Sequence, residues 1–172
     1  SKFFGKDSQT SGFYEASTND GTRYVPNVLQ TLGLKVTEGK DGEVLEGGHI
    51  YIAPGGLHMY VEFKVSGNIL RTSQDIPRNG HRPSADVLFE SVAKVYENKA
   101  LGVIITGMGR DGAAEITNMR KKGAWTLGQD EKSAIVYGMP RVAYELGGVQ
   151  KQVSLELIAQ EINQLVKNHG KA

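Results

Sequence analysis

Residues 101 to 148, LGVIITGMGRDGAAEITNMRKKGAWTLGQDEKSAIVYGMPRVAYELGG, constrain the fold of this chain most. An apolar run, LGVIIT, breaks into a glycine-rich loop carrying one acid, Asp111, and then opens a helix-like run. A strand that yields to a helix through glycines is the building unit of a parallel sheet. A carboxylate held at that transition is placed to act on something in a cleft outside the strand ends.

The rest of the chain divides around this unit. Residues 1 to 23 are polar and rich in Gly, Ser, Thr, Asn and Asp, with no sustained apolar period, and read as a loop-like segment. A short amphipathic stretch runs from Val25 to Leu32. LKVTEG (34 to 39) reads as a strand closed by a Lys-Asp-Gly turn, and HIYIAP (49 to 54) as a second one stopped by Pro54-Gly55-Gly56. In MYVEFKV (59 to 65), Val61, Phe63 and Val65 alternate with Glu62 and Lys64, which predicts a strand with one wet face. The Ser66-Gly67-Asn68 turn followed by NILRT predicts its hairpin partner. Pro83 then opens a helix with Ala85, Leu88, Phe89, Val92 and Tyr96 on one face.

After LGVIIT, which is apolar enough to be buried on both faces, GAAEITNMRKKG predicts a helix with a glycine stop, AWTLG a strand, and GMPRVAYELGG a short helix. The last helix starts after Ser154 and carries Leu155, Ile158, Ile162, Leu165 and Val166 on one stripe. The expected architecture is α/β: a doubly wound, mostly parallel sheet with helices on both faces, plus an antiparallel hairpin. At 172 residues one core suffices, since a chain of this size buries about 70% of its unfolded surface. The expected division is a loop-like segment over 1 to 23, one domain over 24 to 168 and a tail over 169 to 172.

The loop Gly107-Met108-Gly109-Arg110-Asp111-Gly112 is a literal G-x-G-x-x-G, and Asp130 lies about where a ribose-binding acid would sit. Charge argues against a dinucleotide, because Asp111 occupies the helix terminus where a pyrophosphate would dock, and two anions there repel. The same terminus stabilises an ionised Asp111, which suits the orienting acid of a nucleophile, histidine and acid triad. The bland alternative is an Asp that merely caps its helix. A net charge of +1 lacks the basic excess that binding a phosphate backbone demands, so nucleic acid is not an expected partner. With no cysteine there is no disulfide, thiol nucleophile or thiolate metal site. No metal and no cofactor are expected, since the histidines lack ligand spacing and a carboxylate cluster. No run of 18 apolar residues and no signal peptide occur, so membrane insertion is not expected and the default location is cytoplasmic.

Four segments in order, HIYIAPGGLHM (49 to 59), GHRPSADVLFESVA (80 to 93), GVIITGMGRDGA (102 to 113) and Gln129 through GMPRVAYELGGV (138 to 149), resemble the catalytic domain of the chemotaxis-receptor methylesterases, the CheB family. The resemblance covers roughly residues 34 to 166. It implies a serine, histidine and aspartate triad that hydrolyses glutamate methyl esters on chemoreceptor cytoplasmic domains, in many members with deamidation of glutamines as well. Many members carry an N-terminal receiver domain, and none is expected within these 172 residues. The chain starts at Ser1 rather than Met, which fits a tag scar, processing or truncation upstream.

By that resemblance Asp111 is the triad acid, Met108 and Gly109 lie beside the oxyanion site, and Tyr137, Gly138 and Met139 line the cleft. The family's Gly-Ala-Ser-Thr-Gly-Gly serine loop and Gln-His-Met histidine run are not intact here. Glu15-Ala16-Ser17-Thr18-Asn19-Asp20-Gly21 is the nearest match to the serine loop and makes Ser17 the nucleophile, at the cost of deleting the strand that carries the histidine. A rival alignment begins near Val25 and loses both residues. A serine without a base is nearly idle, so a catalytically silent homologue that binds a receptor or signalling partner is the alternative reading. His58 and His81 match family histidines outside the triad and are expected as structural or cleft-wall residues. His49 begins a strand, and His169 lies in the tail. Trp125 is expected in the core, and Arg120-Lys121-Lys122 as a solvated helix end. Met108 and Met139 suit either a gap-filling role or a site that accepts receptor helices. Oligomeric state is not legible.

Overall fold

The computed structural model describes residues 12–14, as backbone, and 35–169. The expected serine loop around Ser17 and the stretch from Val25 to Leu32 lie outside the described residues. Three strands, β1 (Gly12–Tyr14), β2 (Lys35–Glu38) and β3 (His49–Ile52), form a parallel sheet with β3 in the middle. Central placement explains why all four residues of β3 are buried, whereas β2, at the edge among the described residues, buries only Val36.

β4 (His58–Glu62) and β5 (Ile69–Ser73) make the antiparallel hairpin, with Val61 opposite Leu70 and Met59 opposite Thr72. The strand over MYVEFKV stops three residues earlier than its alternation suggests. Pairing ends at Glu62 and Ile69, and the chain turns through Gly67 at φ +123°, leaving Phe63 and Val65 66% and 97% exposed. Alternation without a partner strand buries nothing.

The hairpin packs on α1 (Ala85–Tyr96), where Met59, Val61 and Leu70 meet the Leu88 and Val92 stripe. Of the face read from sequence, Ala85, Leu88 and Val92 are buried, and Phe89 and Tyr96 pack against the core from its margin. A short 3-10 turn, Glu97–Lys99, leads into β6 (Leu101–Ile104), α2 (Ala113–Lys121), β7 (Trp125–Gln129), α3 (Met139–Glu145), β8 (Lys151–Val153) and α4 (Leu155–His169). Strands β6, β7 and β8 pair in parallel and in that order. The molecule is thus mixed α/β, its parallel strands falling into two three-stranded sheets among the described residues.

Helices cover both faces of the second sheet. On one side Gly102 lets α2 approach, since a Cβ there would sit 3.2 Å from Ile116 and Met119. On the other side Ile158, Ile162 and Leu165 of α4 pack with Leu127, Val153, Leu101 and Val103. Leu155 departs from its expected stripe and is 49% exposed; the first turn of α4 is fixed instead by its amide, which donates to Ser133 Oγ at 2.9 Å. Trp125 is only partly buried, because it opens β7 at the rim of the sheet rather than in its middle. β8 has no apolar signature, with Val153 its one buried residue.

Candidate functional site

The loop after β6 is fixed from below by Gln129, a buried residue whose Oε1 accepts the Thr106 amide at 2.7 Å. It is fixed from the side by the segment before α3. Gly107 N–H donates to Val136 O at 3.0 Å, and Met139 N–H donates to Gly107 O at 2.8 Å. The approach is so close that a Cβ on Gly138 would stand 2.5 Å from Gly107 O and 3.1 Å from Gly109 N. A Cβ on Gly107 would meet Met139 Sδ at 2.3 Å. The two segments containing Met108, Gly109, Tyr137, Gly138 and Met139 therefore touch, backbone on backbone, at the carboxyl ends of parallel strands. Met108, at 82% exposure, and Ile135, at 92%, give their outer surface an apolar character.

Asp111 lies at the far end of the same loop and is 5% exposed. Its carboxylate does not serve the helix that follows it. Oδ2 accepts the Ala85 amide at 2.7 Å and Oδ1 accepts the Asp86 amide at 3.4 Å, so the acid caps the N-terminus of α1 from another loop. Oδ1 also accepts the Ser84 hydroxyl at 2.6 Å and Asn79 Nδ2 at 3.0 Å. Ser84 occupies the N-cap position of α1 and makes no side-chain bond to the helix, because its hydroxyl is donated to Asp111.

The favour is returned. Asp86, in the first turn of α1, accepts the Glu115 amide of α2 at 3.0 Å, so each helix supplies or holds the acid that caps the other. Asn79 stands between the two acids, donating to Asp86 Oδ2 at 2.6 Å as well as to Asp111. Its φ of +54° is one that Asn tolerates better than most residues. Burial pushes the Asp86 carboxyl up from its ordinary range, against the Glu115 amide and Asn79 bonds that lower it, and the nearby Asp111 charge adds to the rise. Arg78 joins the assembly from outside, reaching Glu90 on α1 and Glu115 on α2 at 2.9 Å.

The helix terminus read from sequence as a stabiliser of Asp111 is thus the wrong one: α1 provides it, not α2. The glycine loop is equally unsuited to a pyrophosphate. Ala113, Glu115 and Ile116 amides are bonded to Arg110 O, Asp86 and Gly112 O. Asp130, in the ribose position, is occupied by the amide and hydroxyl of Ser133 at 3.0 and 2.6 Å, bonds that also lower its pKa.

Among the described residues no imidazole is hydrogen-bonded to Asp111. His58 is buried, with Nε2 3.1 Å from Ile76 O, and it lines a pocket of about 300 Å³ with Tyr60, Pro77 and Val87. His81 is held by its backbone to Arg78, in the loop that also carries Asn79. His49 is buried against Tyr51, with Nε2 2.8 Å from Thr37 Oγ1, and burial lowers its pKa. No cluster of potential metal ligands occurs among the described residues, and no described helix is long and apolar enough to cross a membrane. Sequence reasoning missed Ser84, Asp86 and Asn79. The run Asn79-Gly80-His81-Arg82-Pro83-Ser84-Ala85-Asp86 does hold a signal, a Ser and an Asp at the start of a helix, but which acid caps which helix is a tertiary matter.

A family model described as CheB methylesterase matches residues 17–162. A protein-glutamate methylesterase/protein-glutamine glutaminase of Treponema denticola is 52% identical over 134 residues, which is 78% of this chain and 36% of that protein. One from Caulobacter vibrioides, numbered 1 in its name, is 54% identical over 130 residues, or 76% of this chain and 38% of that protein. The chain therefore spans little more than a third of the length of these curated relatives. The crystal structure of the Thermotoga maritima CheB methylesterase catalytic domain superimposes with a TM-score of 0.83 at 26% identity, covering 91% of this chain and 82% of that one.

Proposed function

The chain belongs to the CheB methylesterase family, and on that premise we propose that it carries out the hydrolysis for which its relatives are named, removing γ-methyl esters from glutamates on chemoreceptor cytoplasmic domains. Asp111 is the acid of the reaction, Ser17 the nucleophile, and a histidine the base between them. The serine oxygen attacks the ester carbonyl as the base takes its proton, methanol leaves, and water releases the acyl group. Met108 and Gly109 stand beside the developing oxyanion, and Tyr137, Gly138 and Met139 form the opposite wall. Glutamine deamidation uses the same steps with ammonia as the leaving group.

The observation that carries this reading is the placement of Asp111: a buried carboxylate gripped by four donors at the carboxyl end of a parallel sheet. Such a grip fixes an acid in one orientation, as orienting an imidazole requires. With methylated receptor fragment as substrate, Asp111→Ala or Ser17→Ala lowers methanol release by about 10³-fold or more. Unchanged release in both variants overturns the assignment.

One observation favours a second reading. Asp111 makes bonds to α1 and its flanking loop and, among the described residues, to no imidazole. A silent homologue that only binds receptor fits this as well. It predicts capture of the receptor fragment with no methanol from the unmodified protein.

A further inference from the structure

We propose that Asp86, Asn79 and Asp111 form a proton-operated joint between α1 and α2: one proton taken up by the acid pair tightens the seam, and its release loosens the start of α2 and the glycine loop attached to it. The proposal stands apart from the esterase reading and needs no partner for Asp111 beyond those already described.

Two buried carboxylates share one amide. Asp86 is 3% exposed and Asp111 5%, and Asn79 Nδ2 donates to both, at 2.6 and 3.0 Å. The two accepting oxygens are thus no farther apart than two hydrogen bonds laid end to end. The backbone of Asn79 is fixed independently of its side chain. It forms a two-residue turn with Gly80, at φ +54° and +79°, closed by Arg78 N–H to His81 O at 3.1 Å and His81 N–H to Arg78 O at 3.0 Å. The caps run through the same pair. Asp86 Oδ1 accepts the Glu115 amide of α2 and Asp111 Oδ2 the Ala85 amide of α1, so both helix starts depend on the charge the pair carries.

Ionised Asp86 is disfavoured first by its burial and then by the Asp111 charge, while the Glu115 amide, Asn79 and Arg78 favour it. Arg78 is divided, since Glu90 of α1 and Glu115 of α2 also hold its guanidinium. A neutral Asp86 keeps an acceptor oxygen for the Glu115 amide, so protonation removes the repulsion without removing the cap. The folded carboxyl takes its proton more readily than the unfolded one. Its stabilisation is therefore complete below the ordinary aspartate range and is lost as pH rises through the raised Asp86 value. Asp111 and Glu115 flank Gly112 and the first turn of α2, so local opening is centred there.

The test follows the Asp86 side-chain carboxyl carbon of the full chain by NMR against pH. Its midpoint lies above the ordinary aspartate range. In Asn79→Gly, which suits the left-handed turn and removes the shared donor, the midpoint moves up by about half a pH unit or more. Asp86→Asn keeps an acceptor oxygen for the Glu115 amide and cannot ionise. Relative to that variant, protection of the Glu115 amide from hydrogen exchange in the parent falls roughly tenfold as pH rises through the midpoint. An ordinary midpoint in the parent overturns the joint, and this readout needs no variant to fold. A raised midpoint unmoved in Asn79→Gly also overturns it, leaving burial alone as the cause. So does Glu115 protection that runs parallel in the parent and in Asp86→Asn at every pH. Methanol release decides the esterase reading and leaves each of these outcomes untouched.

Discussion

Asp111 shows what a single side chain is asked to do when four donors grip it. Replacing it by Asn puts an NH2 group opposite either the Ala85 amide or the Ser84 and Asn79 donors, whichever way the amide is turned. Asp111→Asn therefore lowers stability by about 1–3 kcal/mol, the cost of a buried donor left facing donors, read as a shift of the urea midpoint at constant slope. Gly138 is the second such position. Its missing Cβ is what lets the loops meet, since a Cβ there would stand 2.5 Å from Gly107 O, so Gly138→Ala displaces the loop and costs about 1–3 kcal/mol by the same measurement. His49 contributes a pH dependence whose sign is fixed. Burial depresses its pKa below the usual imidazole range, so the unfolded chain binds the proton more readily. Stability is complete above the ordinary imidazole pKa and is lost as pH falls through it toward the folded value, and His49→Gln flattens that part of the urea midpoint against pH curve.

At the level of elements, α1 and α2 are joined by exchange of caps rather than by apolar contact alone. Gly112 is what lets them meet: it has φ +82°, and a Cβ there would stand 3.1 Å from Ala85 Cβ and 3.2 Å from Phe89. Gly112→Ala meets both the left-handed penalty and the crowding, and lowers the thermal midpoint by an amount equivalent to about 1–3 kcal/mol. Most elements of this region were legible in the sequence, because LGVIIT and the Leu88 and Val92 stripe carry strong periods. What misled was local alternation in Phe63 and Val65, which needs a partner strand to mean burial. What was invisible was β8, three residues with a single buried valine, and the turning of Asp111 to α1. Asp111 stands out in its loop, but its donors lie 25 to 32 positions away, and no spacing rule reaches them.

The whole molecule distributes its protection unevenly. The second parallel sheet lies between α2 and α4, whereas the hairpin ends in a turn with Phe63 and Val65 in solvent. Native-state hydrogen exchange accordingly finds Ile104 and Leu127 amides among the slowest and the amides from 63 to 68 among the fastest; the reverse order would contradict the fold. The contact of Gly138 with Gly107 has a wider implication. Since Gly107 and Gly138 meet through main-chain atoms, the rim's geometry does not rest on the exposed side chains of Met108 and Ile135, which are ornaments rather than struts. On the proposed function, substitution at those two places changes the surface offered to a target and leaves the scaffold beneath untouched.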